Sequence, residues 1–400
     1  MTQGTDPSSD PRRRLSILAS GAPATFAPFA PRSPSASITD RLVGIKARIF
    51  CEGIRVDDEL WRELSHPLHY KHKRAGLSQG RFFRLVDGEA YTAVNAPVLE
   101  PFVERSTLSL ARREGGGYSV MCGDDELCEA VPFAWPRWYD RATTDGTPMS
   151  LVVSAHCDTS LYTAIYQGGC DYWQGDSMCQ FCAMKIDQRA KWRKVEPIIE
   201  VCKAALAENP AAEITFGGGT RLAVDKSARH KAEAIVRLKR EVDIPVCVEM
   251  AAPDSNDWLD RLVDAGLGSI LLNMEVWGRE ARKRLMPGKS DITRERYVEA
   301  LEHSVRRLGR DQVSSQIIVG LEPLADTLEG VRAIAATGAI PLPVVFRPLP
   351  NTALADHPTP SVDDVIAVFD ETIRKLSSEA LDGARTKSGC ALCGACSAHR

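Results

Sequence analysis

The sequence predicts an α/β fold: a partial (β/α)6 TIM-like barrel with an N-terminal accessory α+β segment and a C-terminal cysteine-rich tail. Three observations predict it. From Met149 onward, short apolar runs alternate with helix-length amphipathic segments, the pattern of parallel βαβ units. The runs are continuously apolar, as in strands covered on both faces. About six units fill roughly 230 residues, whereas a closed eight-unit barrel takes about 250. The barrel is therefore expected to stay open; a doubly wound sheet is the other arrangement of the same units.

Residues 1–38, rich in Pro, Ser and Ala, read as a disordered tail. Their basic start faintly resembles an export signal. Gly21, Pro23, Pro28 and Pro31 break the apolar run, so no helical signal core forms and a cytoplasmic location is expected. Residues 39–147 form the accessory segment. DDELWRELSHPLHYKHKR begins as a helix capped by Asp57 or Asp58 and ended by Pro67. His66, His69 and His72 read as a solvated basic turn rather than a metal site, because Pro67 disrupts the helix that would align them. SLARREGGGYSVMCG reads as two strands around a glycine turn.

The barrel is expected over 148–382. Its strands are predicted at 150–156, 213–216, 244–250, 269–277, 312–320 and 341–348. Helices are expected around Ile198, Ile199, Val201 and Cys202, then near 226–241, 255–265, 293–308, 328–337 and 361–379. Polar and glycine residues cluster where these strands end: a cysteine loop, GGGT, Glu249, Asn273 with Glu275, Gly320 with Glu322, and Arg347. In parallel α/β folds chemistry sits at that end.

Composition narrows the function. The 400 residues are 44% hydrophobic and 26% charged with net charge −3, so there is no basic excess of the kind a general nucleic-acid binder carries. No stretch approaches the roughly 20 apolar residues that cross a bilayer. Of 12 cysteines, six lie in two triplets, Cys170/Cys179/Cys182 and Cys390/Cys393/Cys396, the latter in the tail 383–400. Cys51, Cys122, Cys128, Cys157, Cys202 and Cys247 are scattered. Cys157, Cys202 and Cys247 sit in apolar-patterned segments and read as core residues. Closely spaced thiols in a chain without a secretory signal point to metal rather than disulfides.

The loop GGCDYWQGDSMCQFCAMK supplies three thiols. A closed zinc site needs four ligands, so Asp171 or Asp176 would have to complete it. On a four-iron cluster, three cysteines leave one iron open for a substrate or cofactor. A strand followed by a loop ending Cys179-Gln180-Phe181-Cys182 resembles the radical S-adenosylmethionine (radical SAM) superfamily, whose usual loop is C-x3-C-x2-C with an aromatic before the last cysteine. The first spacing departs from that pattern: a C-x3-C would place a cysteine at Gly175, and eight residues separate Cys170 from Cys179 instead.

Further stretches carry the resemblance across about residues 149–380. FGGGT matches the family's Gly-Gly-Glu turn at Gly217 and Gly218, which implies SAM contacts there, with Gly219 in place of the glutamate. NMEVWGREARKRLMPGKSDITRERYVEALEHSVRRLG is similar to the biotin synthase and thiazole-synthesis branch. That likeness implies an acid on the strand, Glu275, and an arginine on the next helix, Arg296 or its neighbour Arg294, holding SAM. A helix face paired with Glu295 or Glu299 is the alternative for these arginines. IIVGLEP resembles the stretch that packs on adenine, implicating Gly320 and Glu322. FRP places Arg347 as a candidate substrate anchor, as Asn273 is; a structural ion pair is the alternative for Arg347. The Glu275-Val-Trp and Gly320-Leu-Glu-Pro motifs and the cysteine tail also resemble the radical SAM group encoded beside nitrilases.

In the tail, Cys390-x2-Cys393-x2-Cys396 matches three ligands of a bacterial ferredoxin run, and Arg400 stands where the fourth belongs. His399, Cys51, Cys122, Cys128 or a substrate are candidates for that place. An auxiliary iron–sulfur cluster, zinc and a flexible redox tail are the readings weighed.

The resemblance implies a 4Fe-4S cluster, SAM, a 5′-deoxyadenosyl radical, a small polar substrate and an electron donor such as flavodoxin or ferredoxin. A zinc-dependent α/β enzyme and a catalytically silent iron–sulfur scaffold are the competing readings.

Overall fold

The computed structural model describes residues 40–66, 80–167, 169–173, 175–183, 191–350 and 352–399. The predicted tail 1–38 and His69 and His72 lie outside them. Helix α1 (Asp40–Glu52) buries Leu42, Ile45, Ile49 and Phe50 along one stripe. Helix α2 (Asp58–Leu64) starts at Asp57, whose carboxylate accepts the Leu60 amide at 2.8 Å, and ends before Pro67. His66 is not solvated: it packs on Trp135 and Tyr139 and faces Asp140 at 3.4 Å.

Five antiparallel strands follow: β1 (Arg81–Asp87), β2 (Ala90–Ala96), β3 (Leu108–Arg112), β4 (Tyr118–Cys122) and β5 (Asp125–Pro132), in spatial order β2-β1-β5-β4-β3. In β5, buried Cys128, Ala130 and Pro132 alternate with more exposed Leu127, Glu129 and Val131, the period-two pattern of a sheet with one covered face. The predicted glycine-turn hairpin is β3–β4.

The second sheet holds β6 (Ser154–Ala155), β7 (Ser160–Gln167), β8 (Lys191–Trp192), β9 (Glu213–Gly218), β10 (Val246–Met250), β11 (Ser269–Leu272), β12 (Val313–Val319) and β13 (Ile340–Val345). Six strands run parallel in the order β7-β9-β10-β11-β12-β13, while β6 and β8 pair antiparallel with β7. This is the curled, open six-stranded barrel. One strand prediction fails: Met149–Val152 is a short helix, α3, and the first parallel strand is Ser160–Gln167. A short apolar run such as SLVV does not distinguish strand from buried helix. The true strand was masked because Ser160, Tyr162, Ala164 and Tyr166 line an internal cavity and dilute its apolar character.

Connecting helices are α4 (Val195–Glu208), α5 (Ala228–Lys239), α6 (Asp257–Asp264), α7 (Arg279–Leu285), α8 (Arg294–Leu308), α9 (Leu324–Ala336) and α10 (Val362–Ser378). Helix α7 was not anticipated. Contacts from the antiparallel sheet reach both edges of the open barrel. On one side Phe82 stacks on His156 at 5.1 Å and Arg84 pairs with Asp158 at 2.8 Å. On the other, Arg347 after β13 pairs with Glu100 at 3.4 Å and donates to the Asn95 carbonyl. Helix α1 packs on α10, with Phe50 edge-on to Phe369.

After α10 the chain passes beneath the N-terminal ends of the parallel strands. Gln312 donates to the Arg385 carbonyl, the Ser269 and Ser388 hydroxyls meet at 2.7 Å, and the Gly389 amide donates to Glu213 at 2.9 Å. A last turn, α11 (Cys390–Cys393), follows. A Cβ on Gly389, whose φ is +94°, would stand 2.5 Å from the Cys247 sulfur, so only glycine fits. Lys46 is fully buried in α1; its ammonium donates to Thr92 Oγ1 at 3.0 Å and the Gly394 carbonyl at 2.9 Å.

Lys46 thus ties the tail to the N-terminal segment. Lys46→Met should lower unfolding free energy by about 1–3 kcal/mol through unsatisfied buried partners. Amide hydrogen exchange over 389–397 should rise more than over α10. Equal protection in both proteins would show that the tail does not depend on this link.

Candidate active site

A cavity of about 410 Å³ follows the barrel interior. At the C-terminal ends of the strands it is lined by Cys170, Cys179, Cys182, Gly218, Gly219, Asn273, Glu275 and Arg347. At the N-terminal ends it reaches Ser160, Gly389, Cys390, Cys393 and Cys396. Both cysteine triplets therefore line one cavity, at opposite ends. None of the twelve cysteines is in a disulfide.

The loop carrying the first triplet is held backbone to backbone. The Asp171 amide donates to the Thr220 carbonyl at 2.9 Å, and the Asp171 carboxylate takes Arg221 Nε at 2.8 Å and the Leu222 amide at 3.0 Å. The Gln180 amide reaches the Leu285 carbonyl of α7 at 2.8 Å. With Asp171 engaged by Arg221 and Asp176 exposed, neither aspartate is poised as a fourth ligand. A Cβ on Gly219 would stand 1.7 Å from the Gly169 carbonyl oxygen. Residue 219 faces the backbone of the cysteine loop, which is why no glutamate stands there.

Glu275 follows the end of β11. Its backbone lies in the left-handed region at φ +66°, and its amide and carbonyl are pinned to β12 through Gln316 and Ile318 at 2.8 and 2.7 Å. Buried Arg282 of α7 holds the same turn by donating to the carbonyls of Met274, Val276 and Ile292. The Glu275 carboxylate accepts from Lys289 at 2.6 Å, the two side chains being 17% and 7% exposed. Burial disfavours the Lys289 charge, but Glu275, Tyr297 and Cys179 outweigh it and hold its pKa above the ordinary lysine value. Burial also pushes the Cys170 and Cys179 thiols up.

Other candidates stand elsewhere. Gly217 backs onto the Tyr162 phenol, and Gly320 onto Pro360. The Glu322 carboxylate accepts the amides of Trp277 and Gly278, at 3.0 and 2.6 Å, at the start of α7. Arg296 donates to the Pro253 carbonyl and Asn256, both at 2.7 Å, and pairs with Glu299 at 2.8 Å; Arg294 lies over Trp277. None of Gly217, Gly320, Glu322, Arg294 or Arg296 lines the cavity. Arg347 does, but its guanidinium is engaged by Glu100 and Asn95. Lys289 and Arg282 were missed because ARKRLMPGKS reads as a solvated basic turn. The Pro287-Gly288 break that folds it back toward the barrel was the available signal.

Among the described residues, no three His, Cys, Asp or Glu side chains converge closely enough to hold a single metal ion. A polynuclear cluster, whose irons each take their own thiolate, is gripped from farther apart. Three free thiols with an aromatic neighbour, a turn too tight for any side chain and a carboxylate–ammonium pair, all on one wall, fit a three-cysteine cluster with a polar organic ligand beside it.

The sequence model of the radical SAM superfamily matches residues 167–332, from the end of β7 into α9. These residues form a radical SAM domain, and such a domain implies a 4Fe-4S cluster and SAM. The bacteriochlorophyllide c C-7(1)-hydroxylase of Chlorobaculum limnaeum is 25% identical over 249 residues, covering 56% of this chain and 62% of that protein. The chain thus spans less than two thirds of that relative's length. Among solved structures, methylornithine synthase aligns with a TM-score of 0.45 at 15% identity over 55% of this chain and 63% of its own. A radical SAM methyltransferase from Sphaerobacter thermophilus aligns with a TM-score of 0.39 at 15% identity over 68% and 70%.

Two outcomes follow. Gly219→Ala should displace the cysteine loop, so that anaerobically reconstituted protein loses iron from the first triplet; iron content equal to wild type would show that the loop tolerates the methyl group. Lys289→Met strands a buried carboxylate and should cost about 3–5 kcal/mol. Adding Glu275→Gln should recover most of that loss in chemical denaturation, and no recovery would mean that the pair is not the cause.

Proposed function

We propose that this radical SAM enzyme binds its cluster through Cys170, Cys179 and Cys182, cleaves SAM reductively, and removes a hydrogen atom from a small polar substrate deeper in the cavity. The observation that carries this reading is the convergence of those thiols, the Gly218–Gly219 turn and Glu275 on one cavity. A 4Fe-4S cluster with one iron free of protein ligands, loaded with SAM, supplies the C–S cleavage that releases methionine and a 5′-deoxyadenosyl radical.

The protein's part is positioning and exclusion. Backbone groups of the glycine turn and the Glu275 carboxylate receive the polar end of SAM. The roles of Gly320, Glu322 and Arg296 are indirect: Glu322 and Arg296 fix the turns around β11 and α8 rather than touch the ligand. Phe181, Phe346, Leu349, Ile318 and Met250 line the cavity with apolar surface that keeps water from a reactive intermediate. Deeper, Tyr162, Glu249, Asn273 and Gln316 offer donors and acceptors. Asn273 donates to Glu249 at 2.8 Å, and its own carbonyl oxygen is buried with no hydrogen-bond partner among the described residues. That orphan acceptor favours a substrate carrying a hydroxyl, amine or amide donor. The reducing electron comes from a flavodoxin or ferredoxin. The tail triplet is read as an auxiliary iron–sulfur centre.

Anaerobic protein reconstituted with iron and sulfide, given dithionite and SAM, should form 5′-deoxyadenosine. Cys182→Ser should reduce that product to background and remove the SAM-responsive electron paramagnetic resonance signal. Stoichiometric zinc in place of iron would return the zinc-enzyme reading. Iron-loaded protein that binds SAM without cleaving it would return the silent scaffold.

A further inference from the structure

The tail triplet lacks one ligand in sequence, and the structure supplies a sulfur that the spacing does not reveal. Cys157 lies between β6 and β7, at the N-terminal mouth of the barrel. Its sulfur is 3.5 Å from that of Cys393, 236 positions away in sequence. We infer that Cys157 is the fourth thiolate of a centre formed with Cys390, Cys393 and Cys396. This rests on reading the tail as an auxiliary iron–sulfur site.

The other candidates are turned elsewhere. His399 Nε2 meets the Ala391 carbonyl at 2.8 Å, and Cys122 faces Arg48 at 3.5 Å. Cys51 is buried in α1 and Cys128 in β5. Cys247 is the strongest rival. Its sulfur lies against the Gly389 backbone, and Cys390 packs against the apolar cluster that holds it. Cys157 instead meets a triplet sulfur directly, and both pack in the small apolar cluster of Phe82, Phe133 and Ala395.

The surroundings are built for such a centre. The segment is fixed from three directions: the Gly389 amide on Glu213, the Ala395 carbonyl on the Asn95 amide at 2.7 Å, and the Gly394 carbonyl on Lys46 at 2.9 Å. Asn95 Nδ2 lies 3.4 Å from the Cys396 sulfur, a donor of the kind that hydrogen-bonds cluster thiolates. The buried Lys46 ammonium places positive charge beside a group of four thiolates. A four-thiolate set also gives every iron of a four-iron cluster a protein ligand, so the substrate is not a ligand to this centre. The two mouths then hold different chemistry: an open iron at the C-terminal end and a closed centre at the N-terminal end.

The test isolates the tail centre in full-length protein carrying Cys170→Ser, Cys179→Ser and Cys182→Ser, purified without oxygen. Iron, sulfide and zinc are quantified, and Mössbauer and electron paramagnetic resonance spectra recorded. Iron and sulfide should remain. Adding Cys157→Ser should halve the iron or change the spectrum, whereas Cys247→Ser should leave both unchanged. Cys157→Ala should regain the centre when 2-mercaptoethanol supplies a thiolate, which separates ligand loss from misfolding. An unchanged centre in Cys157→Ser, or a Cys157–Cys393 disulfide in iron-loaded protein, overturns the inference while the auxiliary centre stands. A parent variant without iron, or with zinc, removes the auxiliary-centre reading itself.

Discussion

The contact of one backbone against another at Gly219 sets the geometry of the C-terminal mouth. The Gly169 carbonyl occupies the space where any side chain at 219 would begin. The next residues are stitched by the Asp171 amide on Thr220 and the Asp171 carboxylate on Arg221. The direction in which Cys170 leaves β7 follows from this seam. The other end of the loop rests on α7 through Gln180 and Leu285, and α7 is itself fixed by Glu322, which accepts the two amides just before the helix, and by Arg282 clamping the turn beneath it. Displacing either support moves thiols that are spread over thirteen positions of a loop with little regular structure of its own.

An open barrel has exposed strand edges and a cavity that would fill with water. The N-terminal sheet and the tail answer both problems. The sheet contacts the β6–β7 side through Phe82 and Arg84, and the end of β13 through Asn95 and Glu100. The tail turns under the strands' N-terminal ends, where Glu213, Ser269 and Gln312 receive it. Glu213 is fully enclosed there, and burial raises its carboxyl to about 8. It is therefore mostly protonated at neutral pH, which limits the penalty of enclosing it.

Much of this was legible in the residues. The apolar runs identified five of the six parallel strands, because strands covered on both faces carry a strong local signal. The sixth, β7, was hidden by its own function: half of it faces the cavity and carries serine and tyrosine. The thiols were singled out by their short spacing, and the glycine turn and Glu275 by the family resemblance; the structure lines one cavity with the thiols, Gly218, Gly219 and Glu275. Cys157 was not singled out, since it meets Cys393 only through the crossing of distant elements; Arg282 and Lys289 meet partners nearby in sequence but were missed because the fold-back at Pro287-Gly288 was not read. A strand-end position suggested Arg347 as a ligand and the family resemblance suggested Arg296, but each guanidinium is engaged by carbonyl and carboxylate partners, the ion-paired alternative weighed for each.

Glu275 and Lys289 show how the site can be buried and still receive a charged ligand. An isolated carboxylate in this wall would be strongly disfavoured, and so would an isolated ammonium. Paired at 2.6 Å, they leave the chamber without net charge from this source. The positive φ of Glu275 adds a local backbone penalty of about 1–3 kcal/mol. It is held by two flanking hydrogen bonds to β12 and by the three carbonyls gathered on Arg282. In the proposed function, a zwitterionic ligand can exchange with both members of the pair, its ammonium against Glu275 and its carboxylate against Lys289. Neither protein charge is then left alone in the interior. A ligand of single charge would strand one of them, so in that proposal the pair would favour the charge pattern of an amino acid.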